Sequence, residues 1–295
     1  MMRKSVGDVS FSVVNYTFLA VLGLVTLYPF LNLLAISFND SLDSLRGAVY
    51  VFPNQFTLDN YRVVFRTDTL LNATVLSVTR TLLGTFLSVL CTAMLAYTLS
   101  RREYIYRKTI NSILIVSMYV NGGIIPTYLL IKNLDMTNTF WVYIIPGLIS
   151  VFNVIIMRSY FEQLPEGLIE SAKVEGASDI KILMQVILPI SMPVLSTITL
   201  FVAVGHWSSW FDNYLYNSKE SLSVLQYELM KILIQSTNQV SGNATGYVDK
   251  NVLAQTTPQS IRATLTVLVT MPIILIYPFL QKYFIKGMMI GAMKE

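Results

Sequence analysis

Residues 71–99, LNATVLSVTRTLLGTFLSVLCTAMLAYTL, decide the fold class. The run is apolar apart from scattered hydroxyls, one asparagine and one cation, Arg80, and it contains no carboxylate. A hydrocarbon core of about 30 Å is crossed by about 20 helical residues rising about 1.5 Å each, so this run crosses it with length to spare. Barrel strands alternate with a period of two, which this run does not, and a helix satisfies its own backbone in lipid.

Five further stretches share its character: Val13 to Ile36, Thr109 to Ile131, Thr139 to Tyr160, Val186 to Phe211 and Ala263 to Tyr283. They predict an all-α, polytopic membrane protein with six transmembrane helices in one domain, residues 1–295. The composition agrees: of 295 residues 54% are apolar and 13% charged, whereas a soluble domain carries about 25% charged residues. So little charge does not cover a water-facing surface, and much of the outside must face the lipid bilayer. The net charge of +4 comes from scattered Lys and Arg without a basic block, which argues against nucleic acid as a partner. The lone Cys91 permits neither an intrachain disulfide nor a cysteine metal site. Met1-Met2-Arg3-Lys4 precedes an apolar run too long for a cleaved signal peptide, so a retained first span is expected.

Cytoplasmic loops retain Lys and Arg. With the N-terminus inside, twelve fall on the inner side: Arg3, Lys4, Arg101, Arg102, Arg107, Lys108, Arg158, Lys173, Lys181, Lys282, Lys286 and Lys294. Eight fall outside: Arg46, Arg62, Arg66, Lys132, Lys219, Lys231, Lys250 and Arg262. Both termini are therefore expected in the cytoplasm, on the inner side of a multi-pass chain. Two long outer connections follow, 37–70 and 212–262, and one inner loop, 161–185.

The inner loop reads as two short amphipathic helices broken at Gly176. Pro165 suits a helix start and Gly176 a helix end. Leu168, Ile169, Ala172 and Val174 are expected toward one side, with Glu166, Glu170, Lys173 and Glu175 largely elsewhere. Such a helix either seats in a groove of another protein or rests on lipid.

ESAKVEGASDIKILMQVILP, Glu170 to Pro189, resembles the loop signature of membrane subunits of ATP-binding cassette importers. Glu170, Ala172, Gly176, Val186, Leu188 and Pro189 match its spacing, while Ser171 and Val186 depart conservatively from the commonest residues. FPNQFTLDNY, AYTLSRR, GGIIPTYLLIKNLDMTNTFWVYIIPG, GHWSSWFDNYLY and YPFLQKYFIKGMMIGAMKE extend the likeness over nearly the whole chain. They are similar to the maltose-type carbohydrate importers, in the branch handling larger oligosaccharides, and to the smaller permease of that system.

The resemblance implies a type I importer permease fold and a heterodimer with a homologous second permease. It also implies an identical pair of ATPase subunits that hold ATP and Mg, and an extracytoplasmic sugar-binding protein delivering an oligosaccharide. It makes Glu170, Ser171, Ala172, Gly176, Ala177, Leu188 and Pro189 the ATPase-coupling residues. The large outer loop, with Asn238, Ser241, Gly242 and Asn243, would reach the binding protein. No cofactor is expected in this chain: a phosphate-cradling loop requires Gly-Lys-Ser/Thr at its end, and no glycine here is followed by lysine.

Arg80 lies deep in its span, where an arginine costs about 2.5 to 3.5 kcal/mol on insertion scales. All 17 Asp and Glu fall outside the six spans, so an intrachain ion pair at that depth is not expected. Arg80 then snorkels or bonds neighbours such as Thr79 and Thr81, pairs with the second permease, or meets an acidic sugar. His206, the only histidine, has neither a second metal ligand nor a positioned nucleophile beside it, which leaves no catalytic residue and no metal site to assign. Trp207, Trp210 and Tyr214 are spaced three and four apart and share one face if the helix continues, either as an interfacial belt or as a platform for sugar rings. His206, Asn121, Tyr128 and Asn153 are further pathway candidates, the last three next to a Gly122-Gly123-x-x-Pro126 discontinuity or on a neighbouring span.

An ion-gradient-driven secondary transporter is the rival reading. Such proteins bury acidic residues for ion coupling, and none falls inside these spans.

Overall fold

A computed structural model of the chain describes residues 6–47, 49–66, 68–120, 122–240 and 257–292. The helices in chain order are α1 (Val6–Ser37), α2 (Ser41–Arg46), α3 (Asp59–Arg66), α4 (Asp68–Ser100), α5 (Arg107–Tyr119), α6 (Ile124–Asn133) and α7 (Val151–Phe161). They continue as α8 (Gly167–Val174), α9 (Asp179–Ile182), α10 (Leu188–Ile190), α11 (Met192–Ser208), α12 (Phe211–Tyr216), α13 (Leu225–Val240) and α14 (Pro258–Ala292). Among the described residues the only strand-like feature is an isolated bridge between Asn39 and Phe56.

The six apolar stretches do not become six straight helices. Ser10–Ser37, Asp68–Ser100 and Pro258–Pro278 are continuous and long enough to cross a membrane. The third stretch is split into α5 and α6, the second half starting after Gly123 at φ +86°, where a side chain would be strained. The fourth has a single 3₁₀ turn, Phe140–Tyr143, then a non-helical passage through Pro146 and Gly147, and only 11 residues of α-helix in α7. The fifth turns by 89° at Ser191 between Asp179–Ile190 and Met192–Ser208. Pro193 has no N–H to give the Pro189 carbonyl and its ring crowds that carbonyl, while Pro189 likewise gives nothing to Gln185; a π-helical stretch, Leu183–Ile187, sits at that second point. Leu188 and Pro189 of the signature therefore lie on an elbow rather than inside a continuous span.

The chain divides into two compact units, Met1–Leu71 with Leu229–Met271, and Asn72–Glu228 with Pro272–Glu295. In the first, α1 is apolar all round and only 6% of its spanning window is covered by the chain, so lipid or another protein must cover the rest. The segment after α1 folds into a small cap. Asp40 accepts from Leu42 and Asp43 to start α2, and buried Asn60 donates to the carbonyls of Ser37 and Asn39 at 3.0 and 2.9 Å. Phe38 lies against Phe56 and Tyr61.

In the second unit α4 is central, with 44% of its spanning window buried. Toward Ser100, Ala93, Ala96, Tyr97 and Leu99 form one core with Val154, Met157 and Phe161 of α7 and with Ile187, Val194 and Ile198. Nearer Asp68, α4 meets α11 closely enough that only glycine fits at position 84. A Cβ there would stand 2.7 Å from His206 Nε2. Gly84→Ala is expected to displace the His206 ring and cost about 1–3 kcal/mol, read as a lower thermal midpoint in detergent. The same substitution in a His206→Ala background should cost far less.

Candidate functional site

Two groups of the predicted residues take form in the second unit, one at each end of α4. At the Ser100 end, the loop 161–185 is built as its sequence suggests. Helix α8 starts after Pro165 and closes in a Schellman turn: Gly176 has φ +78°, its N–H bonds Lys173 O at 3.0 Å, and Ala177 N–H reaches Ala172 O at 3.0 Å. Ser178 then caps α9 by accepting from Lys181 N–H. Ile169 and Ile182 are buried in the α4–α7 core and hold the loop down. Glu170, Ser171, Glu175 and Gly176 stand exposed, with Ala172 and Ala177 half-buried beside them. The expected apolar side forms only in part: Leu168 and Val174 are exposed, Val174 at 89%, because at 3.6 residues per turn they point away from the buried Ile169. Leu188 is half-buried and Pro189 exposed at the elbow.

Ion pairs pin this loop to the connection after α4. Lys173 bonds Glu103 at 2.6 Å, Arg102 pairs with Glu166 at 3.4 Å, and Arg107 and Arg158 converge on Glu162. The Lys173 ammonium holds the Glu103 carboxyl below the usual carboxylate range, and that hydrogen bond raises Lys173 in turn. The Glu103–Lys173 contact is thus complete at neutral pH, and it is lost on the acid side only as pH falls through the lowered Glu103 value. Exposed pairs of this kind orient the loop more than they stabilise it.

Toward the Asp68 end of α4 the structure overturns the expectation that Arg80 forms no ion pair within the chain. Arg80 is 2% exposed, and its Nη2 bonds Asp212 Oδ2. Its Nη1 donates to Ser209 O at 3.1 Å and to Asp212 Oδ1 at 3.3 Å, and its guanidinium carbon lies 4.6 Å from the centre of the Tyr143 ring. The carboxylate was missed because Asp212 lies one residue beyond the apolar stretch, and α11 stops short of it. Ser209 is extended, at φ −76° and ψ 130°, and α12 starts afresh at Phe211, which brings Asp212 back onto α4.

The segment after this break is tied down along its length. Asn213 Oδ1 accepts from Val224 N–H at 2.7 Å, Ser77 Oγ accepts from Leu225 N–H at 2.9 Å, and Tyr143 Oη donates to Leu222 O at 2.5 Å. Asn138, in the left-handed region at φ +57°, donates its N–H to Tyr216 O and accepts from Ser218. Asn138, Tyr143 and Asn213 lie in stretches that carry the family likeness, but neither spacing nor composition singles them, or Ser77, out as contacts.

The break also separates the three aromatic candidates. Trp207 is buried at the end of α11, whereas Trp210 and Tyr214 belong to the next turn, so the expected common face does not form. Trp210, Phe211 and Tyr214 instead cluster, with ring centres 5.6 Å (Trp210–Phe211), 6.2 Å (Phe211–Tyr214) and 6.4 Å (Trp210–Tyr214) apart. Tyr227 adds a fourth ring 6.4 Å from Tyr214. Tyr128 stacks on Tyr216, and Asn153 is buried on α7. Asn121, Ser241, Gly242 and Asn243 lie outside the described residues, as does the side chain of Asn238 on α13.

A family model described as binding-protein-dependent transport system inner membrane component matches residues 2–290. Protein LplC of Bacillus subtilis (strain 168) is 38% identical over 284 residues, which cover 96% of this chain and 95% of that protein. The polygalacturonan/rhamnogalacturonan transport system permease protein YtcP of the same strain is 34% identical over 285 residues, covering 96% and 98%. Among solved structures, a chain of a bacterial ABC transporter involved in the import of the acidic polysaccharide alginate superposes with a TM-score of 0.87. It is 27% identical, and the match covers 96% of this chain and 100% of that one.

Tyr143 links the ion pair to the segment before α13, through its ring on one side and its hydroxyl on the other. Tyr143→Phe keeps the ring and leaves a carbonyl without its donor, an expected cost of about 1–3 kcal/mol. Tyr143→Leu should lower the thermal midpoint further, because the cation also loses its ring.

Proposed function

We propose, for a chain that belongs to the family of binding-protein-dependent transport system inner membrane components, a role in importing oligosaccharides handed over by an extracytoplasmic binding protein. The chain is the permease component of an ABC importer of sugars or polysaccharides. The finer assignment covers its partners and its cycle. A homologous second permease completes the pathway, and an identical ATPase pair binds ATP and Mg on the cytoplasmic side. Closure of that pair draws the loops of the two permeases together and turns the pathway outward, and hydrolysis returns it inward.

One observation carries this reading: the α8–α9 loop, fixed from beneath by Ile169 and Ile182, presents Glu170, Ser171, Glu175 and Gly176. A rigid, mixed-charge helix face outside the spans transmits a push, which a loop lying loosely on lipid does not. The excess of Lys and Arg on the loop side supports placing this loop and both termini in the cytoplasm. The cluster of Trp210, Phe211 and Tyr214 then faces outward and lies on the sugar path, with Tyr128, Asn153 and Asn121 as further members. Asn238, Ser241, Gly242 and Asn243 then fall on the side that meets the binding protein.

The rival, transport driven by an ion gradient, needs a carboxylate free to take up its ion inside the membrane. Asp212, one residue beyond the fifth apolar stretch, is already held by Arg80.

In vesicles containing the complete assembly, uptake should require ATP on the loop side and survive ionophores that collapse proton and sodium gradients. Uptake without ATP that ionophores abolish would assign the rival mechanism. Glu170→Lys and Gly176→Trp should insert normally yet lose at least about tenfold in sugar-stimulated ATP hydrolysis, equivalent to about 1.4 kcal/mol of docking energy.

A further inference from the structure

We infer that Arg80 and Asp212 are positioning residues of the sugar path: their ion pair sets the break between α11 and α12, so that Trp210, Phe211 and Tyr214 form an uncharged ledge for saccharide rings. The inference rests on the proposed saccharide transport and adds how the path reads its cargo. Arg80 is the one cation deep inside a predicted span, Arg158 and Lys282 lying within two residues of a span end, and an acidic sugar would be its obvious ligand. Its geometry rules against that use. Both terminal nitrogens are engaged by Asp212 and Ser209, one face of the guanidinium is covered by Tyr143, and the group is 2% exposed.

What the pair does is mechanical. At the break, Ser209 O is turned away from helical bonding and accepts from Arg80. Ser209 Oγ donates to Asp212 Oδ1 at 3.1 Å, and the same oxygen accepts from Asn213 N–H at 3.0 Å in the first turn of α12. Asp212 thus closes the turn on one side and binds α4 on the other. Ser208, Ser209, Asp212 and Asn213 are weak helix formers that permit a break without fixing its angle, and a chain that continued as helix would gather Trp207, Trp210 and Tyr214 on one face. With the pair, Trp207 is buried, while Phe211 and Tyr214 stand 42% and 62% exposed beside Trp210.

Ring faces hold sugars through the C–H face of the pyranose, which a neutral sugar and a uronic acid both present. The ledge carries no formal charge of its own, so it takes saccharides whether or not they bear carboxylates. Discrimination by charge then falls to another component of the importer.

The test uses the complete reconstituted importer supplied with an oligogalacturonate or with its methyl ester, which removes the charge and keeps the rings. Arg80→Met combined with Asp212→Leu removes both charges together, a change a packed protein tolerates far better than loss of one partner. The double variant should assemble with its ATPases and import about tenfold less sugar per ATP hydrolysed, by the same factor for both substrates. Arg80→Lys, which keeps the charge and loses the two-pronged contact, should fall between it and the wild type.

A purely structural role predicts uptake and ATP hydrolysis falling together with the ratio unchanged, and that result overturns the inference. A loss confined to the oligogalacturonate overturns it too, since Arg80 would then be reading charge. Full transport by the double variant, or its failure to assemble, assigns the pair no role in the sugar path and has the same consequence. A wild-type importer that moves neither substrate under ATP would instead count against the saccharide reading beneath it.

Discussion

A guanidinium in a low-dielectric interior cannot shed its charge and must find an anion at its own depth. The penalty for an unpaired ion there is several kcal/mol even after relaxation. In this chain the demand is met by Arg80 and Asp212, and much of the second unit follows from it. To deliver Asp212, α11 has to stop at Ser208 and the chain has to turn back. To shield the guanidinium from the side, the 3₁₀ turn at Phe140–Tyr143 has to replace a continuous helix. Ser77, three residues before Arg80 on α4, then receives the first N–H of α13.

The breaks in the spans share one logic. Irregular backbone is tolerated at membrane depth only where protein or a water-lined cavity satisfies the freed groups. Each break in the second unit coincides with such a group or with a residue unable to continue a helix: Gly123, Pro146 with Gly147, Pro189 with Pro193, and Ser209 bonded to Arg80. Close packing removes the remaining freedom, and of the described glycines Gly84, against His206, has the least room for a side chain.

At the other end of α4 the same unit shows a division between what holds and what orients. Ile169 and Ile182 are buried and fix the loop, whereas Glu103, Lys173, Arg102 and Glu166 sit in exposed or half-exposed pairs. Burying an aliphatic side chain contributes about 1.5–3 kcal/mol, more than an exposed ion pair supplies. The exposed face of α8 is therefore free to carry residues chosen for a partner rather than for the fold.

Several features are legible in the sequence because they depend on local chemistry: the apolar runs that make this a membrane protein, the helix break at Gly176, and the loop signature from Glu170 to Pro189. Periodicity also hides things. It predicts one helix wherever apolar residues continue, so it joins Trp207 to Trp210 and Tyr214 across a break. Neither the end of α11 nor the end of α8 is set by periodicity alone. The pairing of Arg80 with Asp212 spans 132 positions in the chain, and no local rule brings two such residues together. Composition and spacing by themselves determined the solvent this protein lives in and the loop it offers; which helices break, and what the buried arginine pairs with, the tertiary structure decided, because a buried charge is satisfied only by contacts between distant segments.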